Sequence, residues 1–264
     1  MDTYRESRYD FDGAKYAQAS DHQRQWGAHL IAELALTGSE RVLDLGCGDA
    51  AFTAHIADLV PHGEVVGVDS SPGMIRAAHA NARPNLRLLL MDINSLELSE
   101  RFDVIYSNAT LHWVKDHRRL YESLVPLLSD RARMRFNFAG EGNCDHFLAV
   151  AREVMSQEEF AEAFAEFDWP WFMPSVDDYR ELVEACSVPN TRIWGETADR
   201  LFPSADAMVA WLDQPSLVPF VGWLPGQLAC RFRERVVHGM IERTRQPDGR
   251  CFEAFRRINL LAAC

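Results

Sequence analysis

The chain has 264 residues, 47% of them hydrophobic, enough for one α/β domain with an insertion or for two small domains around a packed core. A net charge of −12 argues against a non-specific nucleic-acid binder, and the absence of any apolar run near ~18 residues or of a signal-peptide core after Met1 points to a cytoplasmic protein without a membrane partner. Six scattered cysteines form neither C-x-x-C nor a zinc-spaced cluster, so free thiols and no bound metal are expected.

Residues 1–20 are polar but carry Tyr4, Tyr9, Phe11 and Tyr16, too aromatic for a disordered tail, and are expected to pack over a ligand pocket. Ser20 or Asp21 caps a predicted helix reaching Leu34, with Trp26, Leu30 and Leu34 on one face. Val42, Leu43 and Leu45 read as a short buried strand, Gly46-Cys-Gly48 as a sharp turn, and Ala50 to Leu59 as a helix with Phe52, Ile56 and Leu59 inward. Glycines let a backbone approach a ligand closely, and free N–H groups are expected to point out of the helix end, so this unit is a candidate nucleotide-type cofactor site. The next strand, from Glu64, ends in Asp69, about 20 residues past the glycines, where a doubly wound fold sets a carboxylate on ribose hydroxyls. Asp49 and Ala50 follow Gly48, so G-x-G-x-x-G is incomplete, and no Gly-Lys-Ser/Thr follows to make a phosphate-cradling loop.

The stretch Val42 to Ala50 resembles the first motif of class I S-adenosylmethionine (SAM)-dependent methyltransferases, with Ala50 where that motif usually has a third glycine. The resemblance implies an α/β, Rossmann-like fold: a doubly wound, mostly parallel seven-stranded sheet with a helical cap insertion. It implies S-adenosyl-L-methionine as cofactor and S-adenosyl-L-homocysteine as product. Gly46, Cys47 and Gly48 are then cofactor-binding, Cys47 as a small residue tucked under the turn. Ser71 caps a second helix opening at Pro72, and Asp69, Ser70 and Met74 are placed near ribose and adenine. The third strand, Leu86 to Met91, leads to Asp92, positioned for the adenine exocyclic amine, with Ile93 over a ring face. Tyr16 and Gln23 are candidates for the amino-acid end of the cofactor. The fourth strand, Phe102 to Tyr106, runs into Ser107-Asn-Ala-Thr-Leu-His-Trp113, which is similar to the Ser/Ala-Asn-Ala-x-Leu-x-Trp stretch of trans-aconitate methyltransferase-like proteins. By that resemblance Ser107, Asn108 and Ala109 hold the cofactor amino group. His112 is the candidate catalytic residue, and with Trp113 it is a candidate substrate-binding residue.

Further on, a helix is predicted over 117–128, then a strand over 131–138 whose three arginines face solvent. Helices follow over 147–155 and 158–167, then the stiff aromatic run Trp169 to Pro174, expected to cover the crevice, and a Ser175-capped helix to Cys186. The rest reads as a strand within 188–197, a helix at 204–212, a loop from Pro219 to Pro225, a long helix over 226–243 and a closing antiparallel strand over 255–262. The succession over 204–262 again resembles the trans-aconitate group. The expected organisation is an arm and helix over the cofactor site (1–35), a SAM-binding core (36–142), a helical cap (143–190) and a C-terminal completion of sheet and substrate cavity (191–264).

Displacement at a sulfonium carbon has an activated leaving group, so the protein mainly aligns donor and acceptor and excludes water, and no nucleophile or metal cluster is needed. A carboxylate acceptor needs no base, while a hydroxyl or carbon acid does. The favoured reading is methylation of a small-molecule carboxylate oxygen, with His112, Arg245 or Arg250 gripping the acid. A hydroxyl, carbon or nitrogen acceptor, a SAM-binding protein without transfer, an NAD-type dehydrogenase, and monomer or homodimer all stay open.

Overall fold

The computed structural model describes Gly27 and residues 29–263. The expected arm, with Tyr16 and Gln23, lies outside the described residues. The chain divides into two compact units, the first running to Gly140 and taking in Trp171–Gly195 and Ile258–Cys264, the second made of Glu141–Pro170 and Glu196–Arg257. These bounds differ from the expected 143–190 insertion. Residues 171–195 go with the first unit because Phe172, Tyr179 and Val183 pack in its core.

The first unit holds a seven-stranded sheet in the order β3-β2-β1-β4-β5-β9-β6. Its strands are β1 (Arg41–Leu45), β2 (Glu64–Asp69), β3 (Leu86–Leu90), β4 (Phe102–Asn108), β5 (Leu128–Ala139), β6 (Thr191–Thr197) and β9 (Arg256–Ala263). The pairs β1–β2, β1–β4, β2–β3 and β4–β5 are parallel. Parallel strands are covered on both faces, which is why the middles of β1 and β2 carry consecutive buried apolar residues, Val42-Leu43 and Val65-Val66, rather than an alternation. Leu43, Leu45, Val66, Val68 and Ile105 point into one core. Val42, Val65, Val104 and Tyr106 point into the other, with Leu30, Ile31 and Leu34 of the leading segment and Ile56 of α1 (Ala51–Leu59). Helix α2 (Pro72–Ala78) starts at Ser71, whose hydroxyl accepts from the Met74 N–H at 3.2 Å, as its sequence position demands. Helices α3 (His117–Leu124) and, later in the chain, Val176–Ala185 complete the layer beside β4 and β5.

One expectation about β5 fails. Its arginines do not all face solvent, since Arg135 is 1% exposed. Alternation puts Met134 and Phe136 in one core and so sends Arg135 to the other covered face, where its Nε donates to Glu33 at 2.7 Å and one Nη to Asn259 at 2.9 Å. Its guanidinium also lies 5.0 Å from the Trp194 ring.

The second unit is built on a cluster of phenylalanines. Helices α4 (Asp145–Met155) and α5 (Glu158–Ala161) precede it, and α6 is the Val176–Ala185 helix of the first unit. Helices α7 (Ala205–Trp211), α8 (Val218–Trp223) and α9 (Gly226–Thr244) follow. Phe160, Phe164, Phe220 and Phe232 interlock with centroids 5.0–6.3 Å apart. The helix expected over 158–167 ends at Ala161 and continues as turns that still bury Phe164. The loop expected from Pro219 is instead α8: Pro219 occupies the first turn, where a missing N–H costs nothing, and Phe220 behind it is buried. A two-stranded ladder of β7 (Arg200–Phe202) and β8 (Cys251–Glu253) had no clear sequence signal. Among the described residues no helix is long and apolar enough to cross a membrane, and no cluster of His, Cys, Asp or Glu stands ready for a metal.

Candidate functional site

Four left-handed residues gather at the ends of β1 and β4: Gly46 (φ 75°), Gly48 (φ 56°), Ala50 (φ 59°) and Ala109 (φ 57°). Only glycine adopts such angles without strain, so the two alanines mark backbone held in place by its surroundings. Gly46 is needed for space as well as angle. A Cβ there would meet the Thr110 side chain at 2.2–2.6 Å. At Gly48 a Cβ would meet nothing within 4 Å, so this glycine borders open space.

The amides of the turn correct one expectation. They do not point outward. Gly46 and Cys47 both donate to the Val68 carbonyl of β2, at 2.8 and 3.0 Å. Gly48 donates to Asp69 at 2.9 Å, Ala50 to the Cys47 carbonyl at 2.9 Å, and Ala51 to Asp49 at 3.1 Å. These donors are engaged within the fold, and the Gly46, Cys47 and Asp49 carbonyls each already accept one bond and keep a second lone pair. Cys47 packs beneath the turn, with its Cβ and Sγ 3.0 and 3.1 Å from where a Cβ on Gly67 would sit, and burial pushes its thiol pKa up.

Asp69 fastens the turn to the second strand. One carboxylate oxygen accepts from Gly48 and the other from the Ser71 N–H at 2.9 Å, and each keeps a further lone pair. Burial raises its pKa, against the lowering effect of those two bonds. Ser70 is half-buried beside it, and Met74 is buried in the helix that follows. Asp92 caps a short 3-10 turn (Ile93–Ser95) by accepting from the Asn94 N–H at 2.9 Å, while Ile93 packs into the first core.

On the β4 side, the Ser107 hydroxyl is buried and donates to the Leu45 carbonyl at 2.8 Å, tying β4 to β1. Asn108 is half-buried, and the Ala109 N–H donates to the Asn137 carbonyl at 2.7 Å. The Thr110 hydroxyl stands 3.2 Å from both the Gly46 and Asn108 carbonyls, joining the two turns. A 3-10 turn (Leu111–Trp113) then carries His112 and Trp113, both half-buried, with ring centroids 5.5 Å apart. Trp171 meets Trp113 edge to face at 5.4 Å, and the Phe172 N–H donates to the His112 carbonyl at 2.8 Å.

The described candidates Gly46, Cys47, Gly48, Asp69, Ser107, Asn108 and Ala109 are thus linked across the ends of β1, β2 and β4 by the bonds above, and His112 and Trp113 continue from the last of them. Arg245 and Arg250 lie in the second unit, Arg245 exposed and Arg250 paired with Asp248. Four residues escaped sequence reasoning. Asp44 sits in β1, 3% exposed, accepts from Thr53 at 2.7 Å, and is pushed up to about 7 by burial, with Thr53 lowering and Asp69 raising it further. A lone acid in an apolar strand was its available signal. Thr110, His117 and Tyr179 had none.

A family model described as a methyltransferase domain matches residues 42–131. The chain is 31% identical over 260 residues to a trans-aconitate 2-methyltransferase of Deinococcus radiodurans, covering 96% of this chain and 95% of that one. Among solved structures it is similar in fold to the YcgJ protein of Bacillus subtilis, with a TM-score of 0.61 and 14% identity over 91% of this chain and 98% of that one. It is likewise similar to a coclaurine N-methyltransferase bound to N-methylheliamine and SAH, with a TM-score of 0.59 and 16% identity over 91% and 72%.

Proposed function

Because the chain belongs to the trans-aconitate 2-methyltransferase family, a group of SAM-dependent methyltransferases, we propose that it methylates a carboxylate oxygen of a small organic acid. The observation that carries the donor half is the orientation of the glycine turn. A pyrophosphate cradle needs outward amides, and here five of them are engaged within the turn and β2. Acceptor oxygens beside a shared carboxylate suit a ribose diol and a cationic amino-acid tail instead. The acceptor half is supported by a likeness that runs through both units, far past residue 131 where the domain model stops.

In this reading Gly46 and Gly48 give the donor close backbone contact, Asp69 accepts from its ribose hydroxyls and Asp92 from its adenine amine. The Ser107 to Ala109 backbone takes the amino group, and Ile93 and Met74 border the adenosine. When bound, S-adenosylmethionine supplies a methyl on an activated sulfur that leaves as a neutral thioether. A carboxylate is already ionised near neutral pH, so His112 orients the acceptor and has no proton to remove. Trp113 and Trp171 exclude water from the reacting end.

Purified protein with SAM and a panel of small acids, trans-aconitate first, tests the proposal. The expected result is release of S-adenosylhomocysteine with a product heavier by one methylene that mild alkali returns to the acid, as an ester must. An alkali-stable methylated product would move the methyl to another atom, and no release with any acid would overturn the acceptor class.

A further inference from the structure

A buried polar chain lies directly behind the turn that carries His112 and Trp113. The His117 Nε2 is 3.0 Å from the Leu111 carbonyl, its Nδ1 is 3.1 Å from the Tyr179 hydroxyl, and that hydroxyl is 2.8 Å from the Tyr121 hydroxyl. All three side chains are at most 1% exposed. The hydrogens can be assigned from the chemistry. A carbonyl only accepts, so Nε2 carries the proton and Nδ1 holds a lone pair. Tyr179 therefore donates to Nδ1, and Tyr121 donates to Tyr179. Three hydroxyl or ring donors point one way and end on the backbone of the 3-10 turn.

Burying three polar side chains is costly unless each is satisfied, and an apolar trio would fill the same space. What the polar trio adds is a fixed direction for the Leu111 carbonyl. Together with the Phe172 N–H on the His112 carbonyl, it holds the turn from two sides. We propose that His117 is a positioning residue for methyl transfer: with Tyr179 and Tyr121 it holds the Leu111–Trp113 turn so that His112 and Trp113 stand correctly toward the acceptor. The proposal rests on the methyltransferase reading above. It locates the effect in turnover rather than in cofactor affinity, because the chain touches neither the glycine turn nor Asp69.

It also makes the turn sensitive to acid. The groups facing His117 are Tyr179 from α6, Tyr121 and the capping Asp116 from its own helix, and only the apolar rings of Phe138 from β5 and Phe172, at 5.4 and 4.9 Å. Cys186 stands near the two tyrosines. Burial holds the His117 pKa down at about 4, against smaller raising effects of the Leu111 and Val114 backbone and of Asp116. Once protonated, Nδ1 becomes a donor, the tyrosine chain must reverse, and the Tyr121 hydrogen loses its acceptor.

The test uses the full chain with the variants Y179F, H117Q and H117F. In Y179F, amide hydrogen exchange over residues 109–116 should quicken about tenfold, the value of one net hydrogen bond, with exchange in α1 and β2 unchanged. The S-adenosylhomocysteine affinity should stay within about threefold of wild type, since no cofactor contact is removed. With trans-aconitate as acceptor, kcat should fall about tenfold while KM moves less, because a turn displaced by a fraction of an ångström costs alignment. The acid limb of kcat should shift to higher pH in Y179F, where Nδ1 has lost its donor and protonates more easily, whereas general loosening would lower kcat equally at all pH. H117Q keeps an N–H for the Leu111 carbonyl and should retain most of the turnover that H117F loses. Unchanged exchange over 109–116 in Y179F overturns the proposal, and so does a loss of kcat with a wild-type pH profile. If wild type does not turn over trans-aconitate, the exchange result still decides, and only the acceptor assignment fails. If H117F does not fold, Y179F, which loses a single hydroxyl, carries the test.

Discussion

The two turns of the candidate site, the first proposed above for the donor and the second mainly for the acceptor, are positioned by different means. On the donor side, the turn after β1 is shaped by its own backbone, with left-handed residues at Gly46, Gly48 and Ala50 and amides that close on β2 and Asp69. On the acceptor side, the turn after β4 is held by groups distant in sequence: Asn137 on Ala109, Phe172 on His112, and His117 backed by Tyr179 on Leu111. The first is a local arrangement that tolerates little change in sequence. The second is a set of tertiary contacts that many sequences can supply, as suits a side proposed to choose the acceptor.

The sharpest break of this contrast is Gly46→Ala. It adds left-handed strain and a Cβ 2.2 Å from Thr110, so a loss of about 2–5 kcal/mol in a urea titration is expected, strain and overpacking together. Gly48→Ala has the same angle problem but open space above it, so it should cost only the roughly 1–2 kcal/mol of strain and act mainly on SAM affinity. Equal stability losses in the two variants would mean that backbone angle, not the Thr110 contact, governs the turn. Next in size is Asp69→Ala, which should weaken SAM binding about 10-fold to 100-fold by calorimetry, the worth of a hydrogen bond to a charged group. Unchanged affinity in the folded variant removes Asp69 from the ribose.

The same contrast explains what the sequence could and could not reveal. The glycine turn, Asp69 and the Ser71 cap were readable because each depends on residues within a few positions or one strand away. His117 reads from sequence only as the first residue of an ordinary helix, since its partner Tyr179 lies 62 residues on. Arg135 looked like a solvent-facing arginine because alternation tells which face a residue takes, not whether that face is covered. Pro219 reads as a loop in the sequence because proline marks both a break and a helix start, and the buried Phe220 that decides between them is a tertiary fact. The aromatic run from Trp169 reads in the sequence as one element. Its tryptophans divide, Trp171 meeting Trp113 in the first unit and Trp169 meeting Arg152 at 4.8 Å and Phe220 in the second.

Acid and base should act on the two sides in opposite senses. Asp44, behind the donor turn, is raised by burial to about 7 from 3.8, so the folded state holds its proton longer than the unfolded chain and stability falls as pH rises through that window. His117 is lowered to about 4 from 6.5, so the unfolded chain takes the proton first and stability falls as pH drops from 6.5 to about 4. Denaturant midpoints without SAM, measured between these limits, should show the two trends offsetting one another. D44N should separate them, its advantage over wild type growing toward pH 7. An advantage that stays constant with pH would show Asp44 ionised in the folded protein.

The smallest effect probes whether glycine is needed where the backbone asks for it. Ala50 is buried with φ 59°, at a position where the related motif usually carries glycine. Ala50→Gly relieves left-handed strain worth roughly 1–2 kcal/mol and gives back about 0.4–1 kcal/mol through a more flexible unfolded chain. A net gain of about 0.5 kcal/mol follows, visible as a melting-point rise of a few degrees at most. The Cβ of Ala50 points into the protein, not toward the open space above Gly48, so SAM affinity should not change. If the glycine variant instead loses affinity, the alanine methyl is what keeps the turn in its binding shape, and the donor side too would depend on packing rather than on backbone alone.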